Sequence, residues 1–593
     1  MPGDPLDGGS PFTVAGYLRR SVDLVVELLR SAHAGTEQRA GGDPRVQPAG
    51  EELFLAIDRV VKIGQLATTA ALHEAADLLR AAMGAVFPHA YRGRSEAAIL
   101  GLVDRIAAVV RRQLDTLVAA DVELRRLWQV VDLILAILRG SLRFGLALDP
   151  RGFDAINEYD WREWLQLNGA SQASVDCGFM RGIYDLAFAF EDGDVARPSL
   201  AAGVALRGAM RMFFTYRRAL FWRMNGGMGD VVFSPLHEVL ERRGARFEFF
   251  HRLVDVGLSA TGDAAPGELP HVTTLDFHVQ AEVKGDGRYR PLFDVDGVPC
   301  WPSDPDWSQL VEGDALAAER RDFEAFWDTR HAKTRTLRVG DDFDLVVLGV
   351  SLGAIPHVAP QLVARSPRWR RMVESVRTVP TQALQVWMRP GREELGWRGP
   401  SVNLSGFVEP FDTWADMTHV APRERFARPP GHIAYFCSVL PDAYGEAARD
   451  RGSVERAHAD VRANAVRFLE NDVGALWPAA APSPGTFRWD WLCDPSDQGE
   501  VAPIRQGPER LDAQYWRANV NPSDRYVLSV PGSMRHRISP LVLDFDNLTI
   551  AGDWTDSGLS TGCIESAVMS GMLAAHALSG SPALESIVGY DHP

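Results

Sequence analysis

Lysine is almost missing from this chain. Only Lys62, Lys284 and Lys333 stand among the 62 basic residues of a 593-residue sequence. The arginine bias reads as genomic base composition, and any chemistry that needs an amine has three candidates. Cysteine is scarce too. Cys177, Cys300, Cys437, Cys493 and Cys563 are odd in number, and no two have a C-x-x-C spacing. A disulfide scaffold and a cysteine-based zinc site are disfavoured, and a reducing cytoplasm fits best. Positive charge is short: 78 acidic residues leave a net charge of −16. That balance suits nucleic-acid phosphates poorly. Long apolar runs are lacking. The most apolar stretch, Leu127 to Leu138, is interrupted by Asp132, followed by Arg139, and too short to span a bilayer. The N-terminus has neither the basic nor the apolar region of a signal peptide. Gly-x-Ser-x-Gly, Walker and His-Glu-x-x-His motifs are not found, and the histidines show no metal spacing.

What is present suits a large globular protein: 46% hydrophobic and 24% charged residues can bury a sizeable core. Residues 1–150 read as a helical region. Leu18, Val22, Val25 and Leu29 recur at helical spacing, and further runs follow at Glu51–Met83, Ser95–Ala119 and Val122–Leu148. Residues 151–260 begin with a short helix carrying Trp161 and Trp164. They continue through Gly226-Gly227-Met228-Gly229 into a helix over Pro235–Arg243 and a strand over Arg246–Leu258. Residues 261–343 read as an antiparallel insertion. Leu275 to Val283 alternate apolar and polar, Lys284-Gly-Asp-Gly marks a hairpin turn, and Tyr289–Val295 is expected to return beside the first strand. Residues 344–540 start with Asp344-Leu-Val-Val-Leu-Gly-Val, the apolar run of a central parallel strand, and include strands at Ala383–Arg389 and Ile433–Leu440. Residues 541–593 close with strand Leu548–Ala551, a loop, and a helix over Thr561–Leu578. The fold class is α/β with an inserted mixed or antiparallel sheet.

The strongest chemical signal lies in that last segment. A buried strand ends at Gly552, and Asp553 places an acceptor at its carboxyl end, where α/β proteins bind ligands. Thr561-Gly562 is expected to open a helix whose free amides favour an electron-rich group. Small residues (Ala567, Ser570, Gly571, Ala574, Ala575) let the helix lie close to the sheet. Read alone, Gly-Asp is an ordinary strand-to-helix turn. The whole run from Asn547 to Gly571 is more specific.

This run resembles the C-terminal flavin-binding signature of FAD-dependent oxidoreductases that include flavin amine oxidases and phytoene desaturases. The resemblance implies that Asp553 holds the ribityl or pyrophosphate region of FAD. It implies that Thr561, Gly562, Cys563 and Ile564 lie at the flavin edge, with Gly552 and Trp554 close by. Gly226, Gly227 and Met228, with the helix and strand after them, resemble the family's second block, in which backbone at Leu253 and Val254 would pair with the adenine. The fold implied is a partial Rossmann-type FAD domain with an inserted substrate-domain sheet. The activity implied is hydride removal from a C–H bond of a largely apolar or amine substrate to flavin N5. The Gly-Asp-Trp-Thr wording is nearer the desaturase-like branch. Lys284 and Lys333 read as surface residues, which speaks against lysine-assisted amine oxidation. Trp387, Trp414, Trp489, Trp491 and Trp516 are candidates for either an apolar pocket or core packing.

One part of the family pattern is missing: a strand followed by Gly-x-Gly-x-x-Gly is not found at the start. The expectations are a separate polypeptide carrying that segment, a truncated chain, or a relative that has lost FAD. The competing function is a non-catalytic binding or escort subunit of the same fold. Membrane association is compatible with this composition.

Overall fold

The computed structural model describes residues 12–21, 23–24, 122–260, 268–426, 428–442, 450–498 and 504–590. The expected helices at Glu51–Met83 and Ser95–Ala119 lie outside these residues. The chain divides into two compact units. One comprises Met1–Arg181, Leu200–Leu220 and Gly589–Pro593, and the other comprises Gly182–Ser199 and Phe221–Val588.

The first unit is helical where described. Helix α1 (Val122–Arg143) carries the most apolar run of the sequence, and its residues Leu133 to Leu138 are all buried. Asp132, which interrupts that run, is buried and accepts a hydrogen bond from the Ser171 amide at 2.8 Å. Helix α2 (Trp161–Leu167) starts at Asp160, whose carboxylate caps the Arg162 amide at 2.9 Å. Trp161 and Trp164 stack at 5.7 Å inside the core, as the sequence suggests. Gly140 of α1 is required by this packing, since a Cβ there would lie 2.4 Å from the Trp164 ring. Helix α3 (Ala202–Phe214) completes the group and buries Arg207, which pairs with Asp154 at 2.8 Å.

The second unit mixes helices and sheets. After a π-helical turn at Gly229–Phe233, helix α4 (Ser234–Arg242) ends at Gly244, whose φ of +91° suits a glycine. Strand β1 (His251–Leu258) pairs antiparallel with β2 (Val272–Val279). A short hairpin joins β3 (Phe293–Val295) to β4 (Val298–Cys300), and β2 pairs on its other edge with β5 (Lys333–Arg338). Strand β6 (Val346–Leu348) and strand β14 (Leu548–Ile550) form a parallel pair. A second small pair joins β7 (Thr378–Val379) to β13 (Tyr526–Val527).

The largest sheet is antiparallel, with β8 (Thr381–Met388) between β12 (Tyr515–Asn519) and β11 (His432–Val439). It continues through β10 (Thr413–Asp416) to β9 (Asn403–Leu404). Helix α5 (Arg451–Asn471) covers this sheet with Ala457, Val461, Ala465 and Phe468, an apolar stripe at helical spacing. Helix α6 (Ile564–Ser579) follows β14.

Several expectations shift. The strand expected from Arg246 starts at His251, because Phe250 holds a positive φ of +59° that breaks extended backbone. The turn at Lys284-Gly-Asp-Gly exists, with Gly285 and Gly287 at positive φ, but Tyr289–Val295 does not return beside β2. Both edges of β2 are taken by β1 and β5, and the amides of Lys284 and Val311 instead link this turn to Gln309 and Glu282. The final helix starts at Ile564, not Thr561, and Cys563 is its N-cap. Of the expected partial Rossmann-type domain, the parallel pairing seen among the described residues is the single pair β6 and β14.

Candidate active site

The C-terminal motif folds into a tight strand–loop–helix junction. Strand β14 is buried along its length, and β6 alongside it buries Val346 and Leu348. Gly552 follows with a φ of +152°, and a Cβ there would lie 2.4 Å from the Trp554 indole nitrogen. The glycine is therefore needed by the motif's own tryptophan as well as by any approaching ligand. Trp554 is buried in the core with Val346, Leu348 and Ile550, and its indole donates to the Val350 carbonyl at 3.0 Å. It is a wall of the site's floor.

Two serines of α6, Ser566 and Ser570, lie one helical turn apart and tie down the loop. The Gly552 amide donates to the Ser570 hydroxyl at 3.0 Å, and the Thr555 hydroxyl lies 2.7 Å from the same oxygen. Ser557 and Ser566 hydroxyls meet at 2.7 Å. The sequence reading counts Ser570 only as a small residue and gives Ser566 no role. Their spacing on the face turned to the sheet was the available signal.

Asp553 is half-buried, and burial raises its carboxyl pKa above the ordinary value, against the opposing charge of Arg537. Among the described residues, no side chain donates a hydrogen bond to its carboxylate. Arg537 was not singled out from sequence. It is 5% exposed, and it donates to the Asp553 backbone carbonyl at 2.7 Å, to the Leu528 carbonyl at 3.1 Å and to the Ser529 hydroxyl at 3.1 Å. Burial lowers its guanidinium pKa to about 10, so it remains a cation at neutral pH. Ser529 in turn donates to the Ser560 carbonyl at 3.0 Å. The segment 526–537 thus clamps the loop 553–562 from outside.

Gly562 is pressed against Tyr526. A Cβ at Gly562 would lie 2.6 Å from the ring, and the Tyr526 hydroxyl donates to the Gly562 carbonyl. Cys563 caps α6 by accepting from the Ser566 amide at 3.4 Å. Its thiol is raised to about 12, chiefly by burial, so it is neutral and a poor nucleophile. Thr561 is half-buried and Ile564 exposed at the helix start.

The second block separates into two places. Leu253 packs against the core that holds Trp554 and β14, while a bulge leaves Val254 without a register partner on β2. Gly226 and Gly227 line a different cleft of about 420 Å³ with Val231, Phe293, Cys300 and Trp301. Met228 follows them in the same loop and is exposed. Both described lysines are engaged at the surface: Lys284 donates to the Ser308 carbonyl at 3.0 Å, and Lys333 pairs with Glu282. Trp414 is in the core of the large sheet, with Trp489, Trp491 and Trp516 packed against it, and Trp387 packs against a smaller cluster around Ile433.

Residues 498–579 match the family model of the flavin containing amine oxidoreductases. The match covers β14, the loop and α6 entirely, which bears out the resemblance to FAD-dependent oxidoreductases and supports FAD as the cofactor. Among solved structures, the chain is similar to an oxidoreductase from Methanosarcina mazei, with 8% identity over 71% of this chain and 67% of that one and a TM-score of 0.36. No curated protein matches the sequence. No described helix is long and apolar enough to cross a membrane.

Proposed function

We propose that this chain, whose residues 498–579 match the flavin containing amine oxidoreductases, dehydrogenates a C–H bond of an apolar or amine substrate with FAD as cofactor. The observation that carries this reading is the Asp553 carboxylate. It sits at the carboxyl end of β14, beside a helix N-terminus, with no side-chain donor of its own. Such an acceptor fits a hydroxyl-bearing cofactor chain, and the free amides at the start of α6 fit an electron-rich ring edge. Bound FAD supplies two-electron redox chemistry.

The chain's own residues hold and shield. Asp553 accepts from a cofactor hydroxyl. Arg537 fixes the Asp553 backbone, and Tyr526 fixes the Gly562 carbonyl. Trp554 and Ile550 keep the underside dry. The neutral Cys563 thiol and the surface lysines provide no base, which fits a reaction class that needs none.

We also assign a separate polypeptide to the edge of β6 that has no partner strand among the described residues. Its outer face shows Leu345 and Val347 at 54% and 49% exposure. In the parallel register with β14, residues 346 and 348 face the ladder, which turns the Val347 amide and carbonyl to the unpaired edge. Parallel strands are normally covered on both faces, and a strand followed by a glycine-rich turn would complete both the sheet and the cofactor site.

The test is an absorbance scan of the purified protein with added FAD, alone and co-expressed with a polypeptide of that strand–turn–helix type. Flavin bands that bleach with dithionite support the reading, as does their loss in Asp553→Ala. A protein that stays colourless in both preparations sinks it, and unchanged flavin in Asp553→Ala removes that residue from the site.

A further inference from the structure

The cleft beside Gly226 and Gly227 opens on an unusual stretch of surface. Between Phe221 and Leu240 the chain exposes one large apolar side chain after another. Phe221 and Trp222 lead, with Trp222 at 68% exposure. Phe233, Leu236 and Leu240 follow, and on the helical segment 229–242 they fall at i, i+3 and i+7, a single stripe. Monomeric proteins seldom leave such a run to water without a use for it. The interior face of the same helix is packed: His237 is buried against Phe247 and Trp301 at 4.3 and 5.3 Å.

Charge decides what the stripe meets. Arg242, Arg243 and Arg246 follow directly and are exposed, and none pairs with a carboxylate among the described residues. Of the nearby acids, Glu241 and Glu248 pair with Arg288 at 2.8 Å and Arg335 at 3.3 Å and Asp230 accepts from the Trp301 amide, which leaves Glu238 as the one acid of helix α4 facing three arginines. A local cationic cluster thus borders an exposed aromatic and aliphatic stripe, on a chain whose net charge is −16. An amphipathic segment with tryptophan and free arginines is the chemistry of an anionic membrane interface, with the apolar side in the acyl boundary and the guanidiniums among headgroup phosphates.

We propose that the Phe221–Arg246 surface docks on a bilayer rich in anionic lipid, placing the mouth of the Gly226-lined cleft at the lipid boundary. The docking itself stands apart from the flavin reading, because it is measured on protein with or without bound cofactor.

The full chain is sedimented with phosphatidylcholine vesicles, with and without roughly 30 mol% phosphatidylglycerol, over a range of salt. Partition onto the anionic vesicles that weakens as salt rises is expected. Trp222→Ser/Leu236→Ser removes two exposed side chains and should lower partition about tenfold or more. Unchanged near-UV circular dichroism verifies that this variant is folded. Arg242→Gln/Arg243→Gln should flatten the salt dependence. Failure of the native chain to bind anionic vesicles at low salt overturns the proposal, as does binding by the serine variant equal to the native. A soluble dimer that the serine variant abolishes would also overturn it, assigning the surface to a second copy.

Discussion

Replacing Arg537 by methionine removes the guanidinium while keeping much of the apolar stem. The structure gives that group three bonds, at 2.7, 3.1 and 3.1 Å, in a site where the side chain is 5% exposed. Hydrogen bonds from a charged donor contribute about 1.5–3 kcal/mol each before the desolvation of the ion is subtracted. The variant leaves two carbonyls and a hydroxyl without this donor, and the half-buried Asp553 carboxyl without its opposing charge. A net loss of about 3–5 kcal/mol follows, the range for breaking one side of a buried ionic arrangement. Urea unfolding followed by tryptophan fluorescence measures it, with Trp554 reporting from the adjoining core. Arg537→Lys is the informative control. It keeps the charge but not the fork, and should recover only part of the loss. A methionine variant within about 1 kcal/mol of the native protein would refute the reasoning, since the ion's desolvation would then cancel its bonds.

A second prediction concerns pH. His432, the first residue of β11 in the large sheet, is fully buried, and burial lowers its pKa to about 4, against the pull of Asp416 and with help from Arg392. The Thr418 hydroxyl donates to Asp416 at 2.6 Å, so it accepts from the His432 Nδ1–H at 2.8 Å, and the ring is neutral. An unfolded histidine titrates near 6.5. Stability from this residue is therefore whole above that value and falls by about 1.4 kcal/mol per pH unit as pH drops toward 4, roughly 3 kcal/mol in all. Urea midpoints across this range should show that slope in the native chain and lack it in His432→Gln, and equal slopes would count against the assignment. Gly562→Ala should cost about 1–3 kcal/mol by thermal unfolding, because its Cβ would meet Tyr526 at 2.6 Å and the Val527 carbonyl at 3.0 Å. Gly571→Ala, where nothing lies within 4 Å, should be neutral or stabilising. If both glycines behave alike, close packing at Gly562 is not what holds the loop.

The C-terminal junction was readable because its determinants are local. Strand β14, Gly552 and the small-residue helix α6 lie within one continuous stretch, and period and glycine placement report them directly. The long strands β8 and β11 were readable for the same reason. The pairing of β2 was not, because a turn signal at Lys284 says where the chain bends but not which strand fills the neighbouring edge. Trp554 shows the same limit from the other side. Adjacency to Asp553 suggested the cofactor, whereas its indole turns under the loop to Val350, 204 residues away in sequence.

The sequence by itself determined the strand–Gly-Asp–helix order, written in neighbouring residues, and through its resemblance the cofactor class. Tertiary structure alone decided that Arg537, Tyr526 and the two helix serines clamp that loop. Among the described residues, it alone decided that one edge of β6 has no partner strand, and that an apolar stripe beside three arginines without ion pairs faces outward. These outcomes depend on burial and on partners far apart in the chain. A buried guanidinium or an uncovered strand edge has no local pattern to announce it: its meaning comes from what folding places around it, or fails to.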